Sequence, residues 1–109
     1  MSVPPTLKTK KDFSAVLGQG KGFNSEVLLL KVLANGREGG RYGITVSRRV
    51  GNAVIRNRVR RRLREVIRAT PFKGGWDIVF VARVRAGQVA FGVLRDGALR
   101  LLKRAGLLA

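Results

Sequence analysis

Positions 52–68 distribute apolar and basic residues at the period of an α-helix, and the two kinds separate around it. Ile55, Val59, Leu63, Val66 and Ile67 share one arc of about 120°. Arg58, Arg60, Arg61, Arg62, Arg64 and Arg68 fill the remaining surface together with Asn57, and Arg56 stands at the margin of the apolar arc. A segment divided in this way must dock its stripe on another layer and turn its guanidinium groups outward. At 1.5 Å per residue it is about 25 Å long. Asn52 suits the N-cap, and the helix should end where Ala69-Thr70 runs into Pro71. All seven basic residues from 56 to 68 are arginine, which favours bidentate phosphate contacts over point charges. Backbone N–H groups at 52–54 offer a further position for an anion. An ordinary solvated helix mixes signs, whereas one acid, Glu65, faces seven like charges here. The segment reads as a polyanion-binding surface, extended by Ser47, Arg48 and Arg49.

The rest of the chain must supply the layer on which this helix docks. Residues 8–18 predict a short helix, with Phe13, Val16 and Leu17 at i, i+3 and i+4, stopped by Gly18 and Gly20. Residues 27–34 form a near-continuous apolar run, expected as a buried strand, and 20–25 are a candidate short strand before it. Positions 41–49 alternate, with Tyr42, Ile44 and Val46 on one face and Gly43, Thr45 and Ser47 on the other. With Asn35-Gly36 and Gly39-Gly40 between them, 27–34 and 41–49 predict an antiparallel hairpin with a long loop. Residues 76–84 are apolar on both faces, as an interior strand requires. Residues 88–104 predict a last helix, its stripe made by Phe91, Leu94, Ala98, Leu101 and Leu102, with an Asp96–Arg100 pair on the polar side. The whole chain of 109 residues is expected to be one domain, with 1–6 an extended, weakly held end.

Composition narrows the chemistry. The chain has 23 Lys and Arg against 6 Asp and Glu, a formal net charge of +17 that opposes compaction unless a polyanion is bound. With no His and no Cys, the usual general base, thiolate nucleophile and commonest metal ligands are missing. The six acids (Asp12, Glu26, Glu38, Glu65, Asp77, Asp96) show no paired spacing, although a fold can bring distant ones together. No apolar run reaches the roughly 18 residues of a membrane span. Residues 1–11 lack the apolar stretch of a secretory signal, so a cytoplasmic location is the expectation.

The ordered run 41–61, RYGITVSRRVGNAVIRNRVRR, resembles the signature of the bacterial ribonuclease P protein family. Its core, Gly51-Asn52-Ala53-Val54 followed by Arg56-Asn57-Arg58 and continued by Arg60-Arg61 and Arg64-Glu65, is similar to that family's arginine motif. The resemblance extends over most of the chain, to Phe13, Val16 and Gly20 and to the strand at 77–82. It implies an α+β fold, a two-layer α/β sandwich in the order α-β-β-β-α-β-α. The four-stranded sheet would contain a left-handed crossover through the arginine helix, against the general right-handed preference. It also implies two partners, a large catalytic ribonuclease P RNA and precursor tRNA, in a 1:1 complex of a monomer with that RNA. The RNA, with Mg²⁺ held mainly on it, would perform the hydrolysis that removes the 5′ leader. No protein side chain would be catalytic and none would hold metal.

Carried onto this sequence, the motif gives an RNA-binding role to Arg48, Arg49, Asn52, Arg56, Asn57, Arg58, Arg60, Arg61, Arg64 and Arg68. Phe13 would line the leader cleft between first helix and sheet, stacking a base, or else pack in the core. Lys31 occupies a cleft position where the family often has an aromatic, and Leu17 departs in the same way. Trp76 is expected at the edge of the core, and Tyr42 fits either role. Two rivals remain at this level: a ribosomal or chaperone-like RNA-binding protein, and a DNA reader using the arginine helix in the major groove. The spread of arginines around the helix disfavours the groove reader.

Overall fold

A computed structural model describes residues 4–109. Helix α1 (Lys10–Gln19) is followed by strands β1 (Lys21–Asn24), β2 (Leu28–Ala34) and β3 (Arg41–Val46). A 3-10 turn at Arg48–Val50 leads into α2 (Ala53–Ala69), then β4 (Trp76–Ala82), a second 3-10 turn at Val84–Gly87, and α3 (Phe91–Arg104). Four strands and three helices thus appear in the expected order.

The strands lie in the order β1-β2-β4-β3. β1 with β2 and β2 with β4 are antiparallel, whereas β3 and β4 are parallel neighbours joined through α2. The predicted hairpin of β2 with β3 is therefore not formed, because β4 lies between them. Its two apolar faces suit it to that interior place, with Ile78, Val79 and Phe80 fully buried. The connection at 35–40 arches over the start of β4 instead of closing a hairpin. Asn35 N–H donates to the Gly75 carbonyl (2.9 Å), and Gly75 N–H donates to that of Gly39 (3.2 Å). Gly75 holds a left-handed φ of 87° at this crossing.

The sheet separates two apolar clusters. Leu28, Leu30, Val32, Tyr42, Val46, Ile78 and Phe80 face α2 and α3, whose Val59, Leu63, Leu94, Ala98 and Leu101 complete the main core. Tyr42 is thus a core residue, and Trp76 packs partly buried against the same cluster. On the opposite face α1 adds partial cover, with Val16 and Phe13 packed on Val79, Leu7, Leu33 and Val81. Gly97, a helix-weakening residue by propensity, is buried in α3 because a Cβ there would stand 2.9 Å from Val27. The expected Asp96–Arg100 pair does not form. Asp96 instead meets Arg95 at 3.3 Å, both well exposed.

Of the segment expected to be loose, residues 1–3 lie outside the described residues, but 5–7 are bound along β3. Tyr42 N–H donates to the Pro5 carbonyl (3.1 Å), Leu7 N–H donates to that of Tyr42 (2.7 Å), and Leu7 is buried. β3 is an edge strand with unpaired backbone groups, and the arm satisfies part of that edge.

Candidate nucleic-acid interface

Helix α2 is fixed at its start by two residues of the recognised motif. The Asn52 side chain accepts a hydrogen bond from Ile55 N–H (3.0 Å), the N-cap its residue type favours. Gly51 holds φ 155°, and a Cβ there would lie 2.9 Å from Ile55. Val59, Leu63, Val66 and Ile67 are buried, with Ile55 partly so, as the apolar arc requires.

The arginines divide by environment. Arg61, Arg64 and Arg68 are exposed on the outer face, where with Glu65 they line a shallow groove of about 360 Å³. Arg48, Arg49, Asn52 and Asn57 are exposed beside and along it. Arg60 is half-buried and donates to Asn57 Oδ1 (3.0 Å). Two others face inward: Arg58 Nη2 donates to the Gly87 carbonyl (3.1 Å) and Arg62 Nη1 to that of Val89 (3.2 Å). Both contacts tie α2 to the loop before α3. Arg56, beside the apolar arc, is also half-buried, and the Nε atoms of Arg56 and Arg58 have no hydrogen-bond partner among the described residues.

On the α1 face, three rows of residues cross the sheet. Leu33, Asp77 and Arg41 form the first, Lys31, Val79 and Gly43 the second, and Leu29, Val81 and Thr45 the third. α1 covers the first two. Asp12 meets Arg41 at 3.5 Å, Phe13 lies on Gly43 so closely that a Cβ would come within 2.5 Å of the ring, and Val16 packs near Val79. Leu29, Thr45 and Val81 stay half-exposed beyond the helix, and Leu17 is 37% exposed. An apolar shelf is thereby left open between helix and sheet.

Part of the Phe13 ring packs in the α1 cluster and part lines a recess of about 190 Å³. Arg60 and Arg64 line the same recess, so it joins α1 to the arginine helix. Lys31 is not beside it. Lys31 and Gly43 flank Val79 on opposite sides, and Lys31 Nζ donates to the Gly20 carbonyl at the end of α1 (3.3 Å). Leu29, Thr45 and Val81 were not identified from sequence, because a strand's exposed row depends on where the covering helix stops.

The position of α1 rests on a buried ion pair that also escaped the sequence reading. Arg41 meets Asp77 in a fork, Nε to Oδ1 at 3.0 Å and Nη2 to Oδ2 at 2.7 Å, while Asn35 Nδ2 donates to Oδ1 at 2.9 Å. Burial alone would raise the Asp77 pKa, but the hydrogen bonds from Arg41 and Asn35 and the charges of Arg41 and Arg37 bring it below the ordinary carboxylate value. The hydrogen bond to Asp77 raises Arg41 against the opposing effect of burial. Arg41 thereby links α1, through Asp12, to β4.

Comparison with known proteins agrees with this geometry. A sequence model of the family described as Ribonuclease P matches residues 1–106. The ribonuclease P protein component of Dehalococcoides mccartyi (strain CBDB1) is 40% identical over 103 residues, covering 94% of this chain and 86% of the relative. That of Clostridioides difficile (strain 630) is 40% identical over 101 residues, covering 90% and 89%. Among solved structures, the RNase P protein from Thermotoga maritima is similar with a TM-score of 0.82 at 32% identity, over 91% of this chain and 96% of that one. The Staphylococcus aureus RNase P protein has a TM-score of 0.87 at 24% identity over the full length of both, which bears on the fold. The arginine motif on α2, the element order and the match over nearly the whole length converge, and the chain belongs to the bacterial ribonuclease P protein family.

Proposed function

We propose that this chain, as the protein component of ribonuclease P, grips its partner RNA with the outer face of α2 and holds the 5′ leader of precursor tRNA against the open shelf beside α1. Membership of the family implies association with ribonuclease P RNA and a part in tRNA 5′ maturation. Arg61, Arg64 and Arg68, with Arg48, Arg49 and Asn52 at the helix start, supply the phosphate contacts. Phe13 and the half-exposed row Leu29, Val81 and Thr45 receive unstacked leader bases, and Arg60 and Arg64 meet the leader backbone where it leaves the recess. Arg58 and Arg62 act differently, holding the helix to the rest of the fold.

One observation carries this reading: a docked helix turns a row of guanidinium groups to solvent, and a recess connects that row to a half-buried aromatic ring on α1. The Mg²⁺ expected in the holoenzyme is assigned to the RNA. Among the described residues no three acidic side chains converge, and the proposed contact surface is cationic, which repels a divalent ion. The complex is expected to contain one protein per RNA. A rival RNA-binding protein without a catalytic RNA partner would share the charge but not the ordered motif. Among the described residues no helix is long and apolar enough to cross a membrane.

Reconstitution tests the proposal. Added to a bacterial ribonuclease P RNA at low Mg²⁺, the chain should increase cleavage of precursor tRNA, and the complex should bind precursor more tightly than mature tRNA. No stimulation, or equal affinity for the two tRNAs, would overturn it.

A further inference from the structure

A second concentration of positive charge lies at the opposite edge of the sheet from the arginine helix. A groove of about 550 Å³ runs between the β1–β2 turn and α3, with Asn24, Ser25 and Glu26 on one wall and Asp96, Arg100 and Arg104 on the other. The close approach of Gly97 to Val27 forms its floor. Lys21, Arg83, Arg85, Arg100 and Arg104 belong to this edge. The two acids present are already engaged, Glu26 with Arg85 at 3.3 Å and Asp96 with Arg95 at 3.3 Å.

The cations are held in place. Arg104 Nη1 donates to the Asn24 carbonyl (3.0 Å), and its guanidinium lies over the Phe23 ring, which Lys21 also approaches. Arg83 donates to the Asn24 side chain. The Arg100 side chain is exposed and makes no hydrogen bond or ion pair among the described residues. It stands one turn before Arg104, about 6 Å along the helix axis, a spacing that can meet successive phosphates of one strand.

We propose that this groove is a second RNA seat, taking the phosphodiester backbone of a segment other than the one α2 contacts. The two surfaces are separate. β1 and β3 are opposite edges of a four-stranded sheet, about 14 Å apart at some 4.8 Å per strand, and α3 stands between the groove and α2. The charge pattern favours a polyanion over a protein partner, because the uncompensated groups in and around the groove are all cations. Like the assignment of α2, this inference rests on a ribonuclease P RNA being the partner.

The test uses the full chain and a bacterial ribonuclease P RNA, with affinity measured across a salt series. Arg100→Gln with Arg104→Gln should lower the slope of log affinity against log salt by about 1.4–1.8, at 0.7–0.9 per lost phosphate contact. Arg100→Lys with Arg104→Lys keeps the charge and should restore most of that slope. A Lys pair as impaired as the Gln pair would place the effect in the Arg104–Asn24 bond and overturn the proposal. So would a Gln pair with an unchanged slope, which leaves the groove to a protein partner. If Arg61→Gln with Arg68→Gln lowers the slope while the groove pair does not, the assignment of α2 survives and only the second seat fails. A wild-type chain that does not bind the RNA would overturn both.

Discussion

Arg58 and Arg64 belong to the same motif, yet the structure gives them opposite consequences on removal. Arg58 Nη2 donates to the Gly87 carbonyl in a partly buried setting, whereas Arg64 is exposed. A charge-assisted hydrogen bond contributes about 1.5–3 kcal/mol; partial exposure of the arginine brings the expected cost of Arg58→Ala to about 1–2 kcal/mol. For a domain of this size that corresponds to a fall in Tm of roughly 4–12 °C. Arg64→Ala should stay within about 0.5 kcal/mol, as exposed substitutions do, and toward stabilisation, since it relieves repulsion from Arg60, Arg61 and Arg68. In RNA binding the ranking reverses. Arg64→Ala removes one phosphate contact and lowers the salt slope by about 0.7–0.9, while Arg58→Ala, measured well below its Tm, leaves the slope nearly unchanged. Thermal unfolding by circular dichroism and a filter-binding salt series on the same preparations measure both quantities. The division fails if Arg58→Ala melts like wild type and loses as much slope as Arg64→Ala.

Two further outcomes follow from the α1 face. Because the folded pKa of Asp77 lies below its unfolded value of about 3.9, its ion pair contributes fully above that pH and is lost as pH falls through the folded pKa. Asp77→Asn should therefore be less stable than wild type at pH 7, with the gap narrowing below about pH 4 in urea unfolding; a constant gap from pH 7 to pH 2 contradicts the ion pair. Phe13→Leu keeps apolar bulk over Gly43 but removes the stacking face, so precursor tRNA should bind about 5- to 150-fold more weakly, the equivalent of roughly 1–3 kcal/mol, with mature tRNA unaffected. Equal losses for the two tRNAs would make Phe13 a packing residue alone.

The parts of this fold legible in the sequence are those set by local periodicity. The apolar arc of α2, the Asn52 cap and the two-sided strand at Trp76–Ala82 are each written within a few residues. The pairing of strands is not. The segments containing β2 and β3 read as a hairpin because they are consecutive and alternate well, but nothing between 35 and 40 shows that β4 will enter between them. The Arg41–Asp77 pair was hidden for the same reason: its partners lie 36 positions apart and meet only through the parallel β3–β4 register. Six acids scattered among 23 bases gave no hint that this one would be buried.

The arginine helix shows how a tertiary contact divides a charge run that sequence can only count. Arg58 and Arg62 are four residues apart on one flank of α2, and Arg60 and Arg64 are four apart on the other. Periodicity finds both pairs, but only the packing of α3 decides which turns inward. The loop before α3 presents the Gly87 and Val89 carbonyls to the first pair, fixing the helix about its own axis. The second pair is left toward β3 and Phe13, where it lines the recess. Inward arginines therefore set the direction in which the outward ones point. A helix anchored in this way meets RNA with its cations already arrayed, so less of the electrostatic gain is lost to ordering at the moment of binding.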